Sequence, residues 1–231
     1  MNLSQIRDLA RSKADEQTTN FIGDSELNNY INQGQRHIFT KIVQRFENYF
    51  ITKGTALNGG LITTVINQMS YDLPSDLHKF VRVEHRRSGS TDDNEWRKLA
   101  TLNIASDRLD DYFPLREGYT PGFGYFVAGN QIHIKPVPTQ AYEVRIWYVP
   151  NCTALSVDTD TPVIPEMYHE LISEYAAMQC LRKSGESIWT ENKQMFELEL
   201  SNLLETIEIR DQSPEQMTIT DDIDFVRYYG V

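Results

Sequence analysis

The spacing of apolar residues changes twice along this chain, and that change constrains the fold more than any single motif. Up to about residue 49 the period is 3.6. A short helix is predicted from Ser4, read as its N-cap, to about Glu16, with Ile6, Leu9 and Ala10 on one stripe. A longer one follows to roughly Tyr49. Asp24 can cap it, Glu26 sits in its first turn, and Leu27, Ile31, Ile38, Ile42 and Phe46 form its apolar side. Gly34 falls on that side, where it either admits a close neighbouring helix or is a tolerated glycine.

From about Phe50 to Pro150 the period is two. Leu61–Ile66 is β-rich after the turn Asn58-Gly59-Gly60, Val81 and Val83 alternate with Arg82 and Glu84, and a second run covers Trp96–Leu102. The clearest hairpin is Tyr125–Ile134, turning at Gly129-Asn130, whose positive backbone angles suit a tight turn. Ile132 and Ile134 then face one way, and His133 and Lys135 the other. Tyr142–Val149 puts Val144, Ile146 and Tyr148 on one face and Glu143, Arg145 and Trp147 on the opposite one. A short helix over Ser106–Tyr112 interrupts the strands.

Helical spacing returns at Pro165, with a stripe of Tyr168, Leu171, Ile172, Tyr175, Ala176 and Leu181 that stops at Ser184-Gly185. A second helix from about Ser187 carries Ile188, Met195, Phe196, Leu200, Leu203, Leu204 and Ile207 to near Arg210. The predicted class is therefore α+β. N-terminal helices (1–49) and a loop with a C-terminal helical hairpin (151–210) make a helical bundle. An antiparallel β domain (50–150) is inserted between them, and an extended acidic and aromatic tail (211–231) follows.

At 231 residues with 40% hydrophobic side chains, the chain can bury roughly 70% of its unfolded surface without disulfide or metal staples. No apolar run is long enough to span a bilayer, the N-terminus lacks a secretory pattern, and Cys152 and Cys180 read as reduced thiols. The net charge of −11 is uneven: residues 1–150 are neutral, and all the excess acid lies beyond. Such a balance opposes a nucleic-acid clamp, which needs concentrated Lys and Arg.

No catalytic constellation stands out. His169-Glu170 lacks the second histidine of a zinc-protease helix, because position 173 is Ser173. The glycines of Gly118–Gly124 match neither a dinucleotide loop nor a P-loop, and the pairs Asp92-Asp93, Asp110-Asp111 and Asp221-Asp222 diverge as sequence neighbours do. No cofactor is expected. The competing reading is a small hydrolase or lyase whose site gathers distant residues such as His133, Cys152 and His169.

Five segments, in this order and spacing, resemble phage head-to-tail adaptor proteins: Asp24–Asn32; Tyr71–Asp76 leading into Val81-Arg82-Val83; Tyr125–Pro138; Val144–Pro150; and Ile164–Ile172. The resemblance covers about residues 3 to 205 and points to the adaptor, or tubular tail protein, beneath the portal of short-tailed phages, with another tail or virion structural component as the alternative. It implies a non-enzymatic virion protein, assembled in the host cytoplasm. Such a protein forms a homo-oligomeric ring, usually a dodecamer, that docks on the portal protein, carries the tail nozzle or other tail proteins, and lets DNA pass without specific binding. Two expectations go with it. Aromatic Phe225, Tyr228 and Tyr229 in the tail bind the portal or a neighbouring subunit, and Glu191, Glu197, Glu205 and Glu208 line the DNA channel.

Overall fold

The computed structural model describes residues 1–15, 21–46, 48–102 and 124–211, with side chains to residue 207. Two units arise: Met1–Phe46 together with the chain from Cys152 onward, and Glu47–Asn151. The predicted Ser106–Tyr112 helix, the Gly118–Gly124 loop up to Phe123 and the tail beyond Asp211 lie outside the described residues.

The first unit is a helical bundle of α1 (Leu3–Lys13), α2 (Asp24–Arg45), α3 (His169–Ser184) and α4 (Trp189–Asp211). Ser4 is not the cap of α1. Asn2 is: the Gln5 amide donates to Asn2 Oδ1 at 3.0 Å while the Asn2 amide donates to Gln5 Oε1 at 2.9 Å, a reciprocal capping box that Ser4, already inside the helix, cannot make. Asp24 likewise opens α2 without capping it. Gly23 holds the cap position, and Asp24 takes an ion pair with Arg11 at 2.7 Å. The helix also stops at Arg45, short of Tyr49.

Helix α3 touches all three other helices, which explains why Leu171, Ile172, Ser173, Ala176, Ala177 and Cys180 are buried around more than one side of it. Gly185, at φ +80°, ends it in a Schellman turn, with the Glu186 amide on the Leu181 carbonyl. Gly34 has a packing reason. A Cβ there would lie 3.0 Å from Tyr175 Cβ, so its missing side chain lets α2 and α3 approach. Two buried amides on α2 hold the segment that enters this unit at Cys152. Asn32 pairs with both backbone groups of Leu155, at 2.9 and 2.7 Å, and Gln35 donates to the Thr153 carbonyl at 2.7 Å.

The second unit is a pair of sheets. β1 (Thr52–Lys53), β9 (Tyr142–Pro150), β4 (Leu77–Arg87) and β5 (Arg97–Lys98) follow one another in the first, and β2 (Leu61–Thr63) also pairs with β9. β3 (Ser70–Asp72), β8 (Gln131–Lys135), β7 (Gly124–Ala128) and β6 (Ala100–Thr101) form the other. Val83, Val144, Ile146 and Tyr148 of the first sheet and Tyr71, Tyr125, Ile132 and Ile134 of the second close one core, as alternation requires.

Three details differ from the sequence reading. The Trp96–Leu102 run is not one strand: it splits into β5 and β6, which serve different sheets, and β6 pairs with β7 in parallel. The Leu61–Ile66 strand ends at Thr63, leaving Val65 and Ile66 exposed. At the hairpin tip only Gly129 takes a positive φ, +61°, and Asn130 does not.

Candidate functional site

The hairpin α3–α4 presents the acids singled out above. Phe196, Leu200, Leu203 and Ile207 point into the bundle, and an aromatic contact of Tyr175 with Phe196 (5.5 Å between centroids) and of His37 with both rings seals the α2–α3–α4 junction. Glu191, Glu197 and Glu205 are exposed on α4. The side chain of Glu208, and Phe225, Tyr228 and Tyr229, lie outside the described residues. Two residues depart from the predicted stripe. Ile188 and Met195 are 47% and 55% exposed, and Leu198 joins them at 57%. Phe196 has the inward position, and Met195, about 100° away around the helix, is left outside.

A carboxylate group sits where α1, α3 and α4 meet. Lys13 Nζ lies 2.9 Å from Glu170 Oε1 and 2.7 Å from Glu174 Oε1, lining a cavity of about 290 Å³ with Ala177, Asn192, Met195 and Glu199. Burial works against the charge of Lys13, but its bonds to Glu174 and Glu170 outweigh that and hold its pKa above 10.5. The Glu199 carboxyl is raised to about 7, chiefly by sharing a hydrogen bond with Glu174, then by burial and the Glu174 charge, with Lys13 opposing.

The second unit carries a cluster that sequence reading did not single out. Glu84, only 7% exposed, accepts from Arg145 Nε (3.0 Å) and Nη2 (2.7 Å), from Trp147 Nε1 (2.7 Å) and, on its other oxygen, from Arg82 (2.7 Å). Strand register places these side chains on one face, because Arg82 opposes Trp147 and Glu84 opposes Arg145. The arginines and tryptophans alternate. Arg82 lies over Trp147 at 4.8 Å, Arg145 over Trp147 at 5.4 Å and over Trp96 at 3.9 Å, and Arg86 over Trp96 at 4.6 Å. Arg86 also pairs with Glu143 at 2.6 Å. Burial alone raises the Glu84 carboxyl, but the Trp147 and Arg145 hydrogen bonds and the charges of Arg82 and Arg145 outweigh it, leaving its pKa lowered. The signal was available as Arg-x-Glu-x-Arg in β4 and Glu-x-Arg-x-Trp in β9. What it lacked was the register that joins them.

The three residues of the hydrolase alternative each have separate engagements. His133 is stacked on Phe126 at 4.7 Å and lies 2.8 Å from Ser70 Oγ, so it is engaged on the second sheet, in a different unit from the other two. The Cys152 thiol is pushed up by burial, with the 3.0 Å contact to Gln35 and the Arg36 charge opposing, which disfavours the thiolate. His169 is buried, its Nε2 2.7 Å from the Ile164 carbonyl and its Nδ1 3.0 Å from the Met1 amino group. Among the described residues no group of three or more His, Cys, Asp or Glu side chains is arranged to hold a metal ion, and no helix is long and apolar enough to cross a membrane.

The sheet face of stacked arginine and tryptophan has the residue types that are enriched where proteins contact one another. The sequence matches the SU10 adaptor protein family over residues 1–220, and the chain belongs to that family. It is a phage adaptor, a structural virion component that interacts with other phage head and tail proteins. No curated protein matches the sequence.

Proposed function

We propose that this adaptor forms a homo-oligomeric ring, a dodecamer, between the portal and the tail of a short-tailed phage. The portal protein binds one end of the ring, and the tail nozzle or other tail proteins assemble on the other. The observation that supports this most is the extent of the family match, which spans residues 1–220 and so takes in both units. DNA passes through the ring without specific binding, in keeping with a net charge of −11 concentrated beyond residue 150. Glu197 is our candidate for lining that path. Glu191 and Glu205 share their side of α4 with exposed Met195 and Leu198, a mixture better suited to a contact. Glu208 stays with Glu197 on sequence grounds. Phe225, Tyr228 and Tyr229 anchor the tail to the portal or to a neighbouring subunit.

Co-sedimentation with cognate portal rings tests this reading. The chain should move into the portal peak with near-equal subunit stoichiometry, and deletion of residues 211–231 should abolish that attachment while leaving a folded core. A chain that stays free beside competent portals refutes the reading, and unchanged attachment after the deletion removes the anchoring role of the tail.

A further inference from the structure

Resting on that ring reading, we infer that the outer stripe of α4 docks on the Arg–Trp sheet face of a second copy of this chain, and that this is the contact that closes the ring. The stripe runs from Ile188 at the start of the helix through Glu191, Met195 and Leu198 to Glu205. Steps of three, four, three and seven residues keep these on one side, away from the buried Phe196, Leu200 and Leu203. Three large apolar side chains at 47%, 55% and 57% exposure on a helix whose other side is already packed form a second apolar seam. The seam is acidic: it carries Glu191 and Glu205, and Lys193, the one basic residue between Glu186 and Glu205, falls on a different side.

The sheet face has the opposite character. Register puts Lys53 opposite Trp147 and Lys98 opposite Glu84, so both lysines share the face with Arg82 and the tryptophans. Lys53, Arg82 and Lys98 are exposed, and Trp96 and Trp147 are half-buried and held flat by the guanidinium groups stacked on them. Stacking fixes those rings before any partner arrives, so little side-chain freedom is lost on binding, and Trp with Arg is the pairing that dominates contact energies. The positive charge left over is narrow, since Arg145 is paired with Glu84 and Arg86 with Glu143. That favours an acidic protein surface over a phosphate backbone, which rewards many free cations. The chain's own residues 212–231 are a poor cover for α4, because they carry four acids and one base. The two surfaces are different patches of one chain, so joining them between copies is a heterologous contact, as a ring requires.

Charge reversal on the full chain tests the inference, read by sedimentation velocity with and without cognate portal rings. One variant carries Glu191→Lys and Glu205→Lys, a second Lys53→Glu and Lys98→Glu, and a third all four; circular dichroism checks that each is folded. Wild type should sediment as a ring, alone or on portals, and each two-site variant should lose the ring-sized species. The four-site variant, and an equimolar mixture of the two-site variants, should regain it. A folded two-site variant that assembles like wild type overturns the inference and leaves the ring reading standing. Failure of the four-site variant to recover also overturns it. So does a lysine variant that keeps its ring but loses binding to duplex DNA, which would give the face to nucleic acid. A wild type that assembles neither alone nor on portals overturns the ring reading itself.

Discussion

Removing the Glu84 carboxylate by Glu84→Ala should be among the most damaging single changes in the second unit. The side chain of Arg145 is 9% exposed and that of Glu84 10%, so the substitution strands a buried guanidinium. Losing one partner of such a pair costs about 3–5 kcal/mol. Stacking of Arg145 on Trp96 at 3.9 Å is present before and after the change and so cancels from the difference, which leaves an expected loss of about 3 kcal/mol or more. Arg82→Ala is the contrast: its side chain is 47% exposed, so its bond to the same carboxylate should contribute no more than about 1 kcal/mol. Replacing both buried partners, Glu84→Met with Arg145→Met, should recover most of the loss, because no uncompensated charge remains. Urea unfolding followed by tryptophan fluorescence in a Trp189→Phe background reports on Trp96 and Trp147 alone, both in this unit. With a slope of about 1.5 kcal/mol per molar, 3 kcal/mol is a midpoint shift of roughly 2 M. The acid limb gives a further check. A carboxyl whose folded pKa is lowered contributes stability that is present above the ordinary 4.5 and lost as pH falls through the lowered value, so wild type and Glu84→Ala should converge on acidification. A Glu84→Ala loss no larger than that of Arg82→Ala would refute this reasoning and mean that water already solvates the carboxylate.

Gly34→Ala should destabilise the helical unit despite the roughly 1 kcal/mol that alanine gains over glycine within a helix, because a Cβ 3.0 Å from Tyr175 Cβ forces α2 from α3 at about 1–3 kcal/mol; a thermal melt above wild type would contradict this. Glu199 should make the same unit pH-sensitive. Its folded pKa is raised, so its contribution is complete below the ordinary 4.5 and lost as pH rises through about 7. Melting temperature should therefore fall across that interval in wild type and flatten in Glu199→Gln, with a modest amplitude because the side chain is exposed.

Features legible in the amino-acid sequence are those that a few neighbouring residues decide. The switches between spacings of 3.6 and two mark where helices give way to sheets, Ser184-Gly185 marks the end of α3, and the Tyr125–Ile134 hairpin follows from alternation around Gly129. Even so, Asn2 takes the cap from Ser4, because both residues suit the position and only the reciprocal bond with Gln5 distinguishes them. Period alone also put Ile188 and Met195 on the inner stripe, where helix phase against α3 left them outside. The candidate surfaces lay further from reach. Glu84 and Arg145 are 61 residues apart, Asn32 and Leu155 are 123 apart, and Lys13 and Glu174 are 161 apart. Each pair is made when strands, helices or loops pack, so a local pattern such as Arg-x-Glu-x-Arg in β4 gains its meaning only from the register that brings β9 beside it. Spacing along the chain decided which elements form, since that depends on each segment's own burial pattern. Which charges meet, and which apolar side chains stay at the surface, was settled only when those elements packed, because desolvation and hydrogen-bond geometry act between residues that sequence holds apart.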